Sequence, residues 1–192
     1  MRITRRFLSL CPAVLVALFA IAQPSPAAET PASFMPVTKL SDSRLAQIEK
    51  QFSETNRANV AKGTFFAYSR ALRIDPVTPW PWSAKKDRAV LRDAIRSILT
   101  GYASPEQLQV SGPISKNSES TFRRLDSMLF PVWNEQSRDS FVPSVATLLR
   151  DTGDSIRLFE GNESNSFGYG SFLIIVDMPN REILVLGMQY AE

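Results

Sequence analysis

The apolar positions of this chain recur at helical spacing as far as Gly153 and at strand spacing after it. Leu45, Ile48 and Phe52 follow Leu40 and Ser41, which read as a hydrophobic staple and an N-cap, so a first helix is expected there. Val60, Phe65, Tyr68 and Leu72 continue the period and predict a second helical segment to about Ile74, where Pro76 stops it. The clearest stripe is Leu91, Ala94, Ile95, Ile98 and Leu99, on a helix capped by Ser83 and ended by Gly101. Two further helices are expected. One covers about 118–130, with Phe122, Leu125 and Leu129 inward and Pro131 closing it. The other covers about 143–150, with Val145, Leu148 and Leu149 inward.

After Gly153 the segments "SIRLFE", "FGYGSFLIIVD" and "EILVLGMQYA" are rich in β-branched and aromatic residues and are divided by turn formers. The last two predict a hairpin around "MPNR" in which Met178 pairs with Arg181. That register sets Phe172 against Gly187, Ile174 against Val185 and Val176 against Ile183 on one face. Leu173, Ile175, Leu184 and Leu186 then occupy the other. Both faces are apolar, so the hairpin has to be covered twice. The same register opposes Asp177 and Glu182, two like charges, which calls for a one-residue slip or for relief by Arg181. The fold class that follows is α+β, with an N-terminal helical layer of three to five helices packed on a C-terminal antiparallel sheet of three or four strands.

The start of the chain changes the domain picture. Residues 1–22 combine a basic start, an apolar run from Phe7 to Ala22 and the small-residue motif Ala20-Ile21-Ala22, the layout of a cleaved secretory signal peptide. The run is broken by Pro12 and is shorter than the roughly 20 residues a spanning helix needs. Thr4-Arg5-Arg6-Phe7-Leu8 resembles a twin-arginine export signal, although the leucine- and valine-rich core suits the general route. Residues 23–39, with four prolines, read as a flexible tether, and 40–192 as one α+β domain.

Charge and composition then narrow the function. The signal holds three of the 22 basic groups and none of the 19 acidic ones, so the remainder is formally neutral. The pI of about 9.2 is therefore no argument for nucleic-acid binding. The chain has no histidine, and its one cysteine, Cys11, lies in the signal. That excludes Ser-His-Asp and Cys-His catalysis, thiolate or imidazole zinc sites and covalent haem attachment, and no cofactor is expected.

The candidate sites are few. Trp80-Pro81-Trp82 reads as a corner between helices that can double as a stacking platform. Ser83-x-x-Lys86 matches the Ser-x-x-Lys element of penicillin-recognising serine enzymes, without their Ser-Asp-Asn or Lys-Thr-Gly elements, and is read as a cap. Lys85, Arg88, Arg92 and Arg96 form a basic ridge along one helix face, a docking surface for an acidic protein or an anionic envelope polymer. Asp151, Asp154, Glu160 and Glu163 read as an acidic turn rather than a calcium loop or a catalytic pair. Together these point to an exported, non-catalytic protein, periplasmic or secreted, that binds a partner as an inhibitor, an immunity-type protein or an envelope accessory factor. No nucleic acid and no stable membrane insertion after signal removal are expected. One alternative is a small hydrolase using carboxylates or Ser83 with Lys86. The other is a structural homodimer joined through the C-terminal hairpin.

Overall fold

The computed structural model describes residues 33–59, 64–76, 78, 87–98, 108–165 and 168–191. In chain order they form β1 (Phe34–Pro36), α1 (Ser43–Ala58), β2 (Phe65–Ile74), α2 (Asp87–Ile98), β3 (Leu108–Ile114), α3 (Glu119–Leu129), α4 (Glu135–Leu149), a short 3-10 turn (Gly153–Ser155), β4 (Ile156–Asn165), β5 (Gly168–Asp177) and β6 (Glu182–Ala191). The six strands make one sheet in the order β1-β2-β6-β5-β4-β3. Every neighbouring pair runs antiparallel. The fold is thus α+β, but the sheet is wider than the three or four strands expected. The helices are spread through the chain instead of forming an N-terminal layer.

The hairpin register read from the sequence is the one observed: Phe172 faces Gly187, Ile174 faces Val185, Val176 faces Ile183 and Asp177 faces Glu182. Both of its faces are buried. Leu173, Ile175, Leu184 and Leu186 share a core with Leu45, Ile48 and Phe52 of α1 and with residues of α3 and α4. Phe172, Ile174, Val176, Ile183 and Val185 share a second core with Leu91, Ala94 and Ile95 of α2. Three helices therefore cover one face and α2 covers the other. The uncovered apolar row on which dimerisation through the hairpin would rest is absent among the described residues.

Four local expectations are corrected. Phe65–Ile74 is a strand, not the end of a helix. Phe65, Tyr68 and Leu72 do fall at helical spacing, but the alternate set Ala67, Ala71 and Arg73 faces the three-helix side, and pairing with β6 along nine residues decides between the two periods. The tether is ordered from Ser33: Phe34, Met35 and Pro36 pair with Ile74, Arg73 and Leu72 as an edge strand, where prolines are tolerated. The last predicted helix begins eight residues earlier than Pro143, at Glu135. Asn134 caps it by accepting from the Ser137 amide at 2.9 Å, and Pro143 sits inside the helix on its exposed side. Ser41 is likewise not the cap of α1; Asp42 is, accepting from the Arg44 and Leu45 amides at 2.7 and 2.8 Å. The expected cap Ser83 and stop Gly101 lie outside the described residues.

Candidate functional site

Combining the strand registers gives cross-strand rows on the three-helix face. One row, at the end of the sheet away from the β5–β6 turn, reads Ser164, Tyr169, Tyr190 and Phe65 across β4, β5, β6 and β2. The next reads Gln109, Asn162, Ser171, Met188 and Ala67 across β3, β4, β5, β6 and β2. The one after it places Ser111 and Glu160 beside Leu173 and Leu186. Polar residues on β3 and β4 thus run directly into the apolar floor on β5 and β6.

Helix α3 overhangs this corner without closing it. Between its Thr121, Arg124, Leu125 and Met128 and the sheet is a cleft of about 450 Å³, floored by Leu173 and Met188 and edged by Glu160, Asn162, Ser171 and Tyr169. The Arg124 guanidinium donates to Glu160 across the rim, joining α3 to β4 by an ion pair. The Ser171 hydroxyl donates to Asn162 Oδ1 at 3.0 Å. The Thr121 and Ser127 hydroxyls are committed to the backbone carbonyls of Ser115 and Arg123 at 2.7 and 2.9 Å. The aromatic row continues the cleft outward. Tyr169, 45 % exposed, stacks on Tyr190 with ring centroids 5.4 Å apart, and Tyr190 packs on Phe65 at 4.8 Å.

The opposite end of the same face is a closed polar junction. Glu182 is fully buried and accepts from the Ser41 amide at 2.7 Å, the Ser41 hydroxyl at 2.9 Å and Arg73 Nη2 at 2.5 Å. Burial pushes its carboxyl up, but the Arg73 and Ser41 donors outweigh burial and hold it below the usual glutamate range. Asp177 accepts the Asn180 amide and side-chain amide, both at 2.9 Å. Its carboxyl is raised by burial first, then by the neighbouring Asp42 carboxyl, against the Asn180 bonds. The Asp177–Glu182 opposition is therefore real, and it is relieved by Arg73 and the start of α1. Arg181 adopts φ 57° and donates to the carbonyls of Asp75 and Thr78 at 2.9 and 2.5 Å.

Of the site residues singled out in the sequence, Glu160 alone among the described ones edges this cleft. Trp80, Trp82, Ser83, Lys85 and Lys86 lie outside the described residues. On α2, Arg88 is exposed, whereas Arg92 and Arg96 are half-buried and Arg96 Nη1 donates to Asp93 at 3.1 Å, so the basic ridge is narrower than its spacing implies. Of the acidic group, Glu160 lies on the three-helix face and Glu163 is buried on the other, since strand residues three apart point to opposite sides. Asp151 and Asp154 are exposed in the preceding turn. Among the described residues no group of three or more acidic side chains is placed to hold a metal ion. The cleft itself was missed, because Phe65, Tyr169 and Tyr190 become neighbours only through strand register. Comparison with protein-family models, with curated proteins and with solved structures found no match.

Proposed function

We propose that this is an exported protein of the periplasm or extracellular space that binds a small polar ligand, without turning it over, in the cleft beneath α3. The observation that carries the reading is the continuity of that cleft with an aromatic cluster in which Tyr169 is exposed and Tyr190 and Phe65 are half-buried behind it. Small-molecule sites are concave, of roughly 300–1,000 Å³, mostly apolar and edged by a few convergent polar groups, and this cleft has each of those properties. Binding without turnover is supported by its titratable groups. Among the described lining residues Glu160 is the one carboxylate, and it is engaged by Arg124, whereas glycoside hydrolysis takes a pair. The exposed Arg88 keeps a second reading in view, capture of an acidic protein or anionic envelope polymer on α2.

Nuclear magnetic resonance with amide-labelled protein and a library of small neutral probe compounds separates the two. The cleft reading expects shifts converging on Arg124, Asn162, Tyr169 and Ser171. Shifts confined to the surroundings of Arg88, or none at the cleft with any probe, would overturn it.

A further inference from the structure

We infer that the ligand of the α3 cleft is a neutral oligosaccharide, with one sugar in the cleft and the next against the exposed Tyr169 ring, which Tyr190 and Phe65 back; this rests on the cleft being the binding site. Three observations select that chemistry. The first is charge. The two ionised groups of the cleft, Arg124 and Glu160, neutralise each other, so it presents no net field to a phosphate, a nucleotide or a charged peptide. The second is the pattern of polar groups. Ser171 and Asn162 sit side by side across β5 and β4, and the bond between them uses one donor and one acceptor site. The serine oxygen's lone pairs and the asparagine amide hydrogens are the capacity this leaves. Adjacent acceptor and donor sites suit vicinal hydroxyls, each of which both donates and accepts.

The third observation is the aromatic row. The rings cluster at the cleft mouth: Phe65 lies 6.3 Å from Tyr169 and 4.8 Å from Tyr190, and Tyr190 lies 5.4 Å from Tyr169, so together they back one exposed platform beside the cleft. Apolar sugar faces stack on aromatic rings, so a ring beside the cleft gives a second sugar a contact that a single sugar within the cleft does not make. Tyr169 is the most exposed of the three and is the ring nearest the polar pair, through its direct placement on the cleft rim. It carries the second sugar, and the half-buried Tyr190 and Phe65 hold its ring in place.

The test is calorimetric and resonance titration of the intact protein with the tetrasaccharides of β-1,4-linked glucose and β-1,4-linked N-acetylglucosamine, which distinguish a plain glucan from an acetamido-bearing wall-type glycan. The corresponding monosaccharides and a neutral tetrapeptide complete the panel. At least one tetrasaccharide is expected to shift Asn162, Tyr169 and Ser171 and to bind about tenfold or more tighter than its monosaccharide. Tyr169→Ala should weaken it by about tenfold, with an unchanged unfolding transition. The affinity should not change between low and high salt, since no net charge is engaged. Cleft shifts with the tetrapeptide or with other probes but with neither saccharide would overturn the ligand class and leave the cleft standing. No cleft shifts with any compound would overturn both. Equal affinity of monosaccharide and tetrasaccharide would overturn the aromatic subsite at Tyr169.

Discussion

Replacing Glu182 by glutamine probes the polar junction at the start of α1 with little change of shape. In the native protein the carboxylate is fully buried, and three of its bonds are short: the Ser41 amide at 2.7 Å, the Ser41 hydroxyl at 2.9 Å and Arg73 Nη2 at 2.5 Å. A hydrogen bond to a charged group contributes about 1.5–3 kcal/mol and a neutral one about 0.5–1.5, so neutralising the acceptor removes about 1 kcal/mol from each. Arg73 is 39 % exposed at its side chain, and water replaces part of what it loses. The expected cost is about 3 kcal/mol, the lower end of what breaking a buried pair produces. Urea unfolding at a series of pH values is the assay. The folded pKa of Glu182 lies below the unfolded one, so its contribution is fully present above about pH 4.3 and is lost as pH falls through the depressed folded value. The difference between wild type and Glu182→Gln should therefore close in acid. Asp177→Asn provides the opposite sign. The Asp177 carboxyl is raised, so its contribution is full below the unfolded value and is lost as pH rises through the folded one, and this variant should compare worst in acid. A Glu182→Gln penalty that is the same at pH 3 and pH 7 would refute the electrostatic account, because only a steric effect is independent of pH.

The double covering of the hairpin predicts that Ile174→Ala and Ile175→Ala, both fully buried on opposite faces, each cost about 2–5 kcal/mol in urea unfolding; a loss well below 1 kcal/mol for either would mean its face is loosely packed. Gly161→Ala should also destabilise, because a methyl group there would meet the Phe172 ring at 2.2 Å and the Gln109 carbonyl at 3.0 Å. Overpacking of about 1–3 kcal/mol is offset by about 0.5–1 from the stiffer backbone, and Phe172→Leu in the same chain should recover part of the loss. Additive losses in the double variant would show that the ring is not the obstacle.

Legibility in the sequence followed the range of the interactions. The β5–β6 hairpin could be read to the residue because its turn, "MPNR", and two complete apolar rows are local and agree. Strand β2 could not, since Phe65, Tyr68 and Leu72 fit a helix equally well and β6, its arbiter, lies at the far end of the described chain. Strand β3 left no apolar run to find: Ser111, Gly112 and Pro113 interrupt it, and its outer positions are exposed. The first half of α4 was hidden by Pro143, which resembles a helix start and is here carried within the helix at an exposed position. The candidate cleft belongs with β2. Asn162 and Ser171 come from a hairpin whose strands were each recognised, but Phe65 and Tyr190 reach Tyr169 only in the assembled sheet.

The position of β6 at the middle of the strand order has a bearing on the order in which the protein can assemble. Strands β1 and β2 join the remaining strands through β6 alone, and β5, β4 and β3 reach β2 by the same route. Removing Glu182–Ala191 would not trim an edge; it would divide the sheet into a two-strand ribbon and a three-strand piece. A two-strand ribbon is marginal in water by itself. A chain made from its N-terminus therefore carries β2 without its inner neighbour until β6 arrives, and both apolar cores close in that step. The sheet behaves as an arch whose keystone is β6, so lesions in that strand should act as assembly defects that part the two halves.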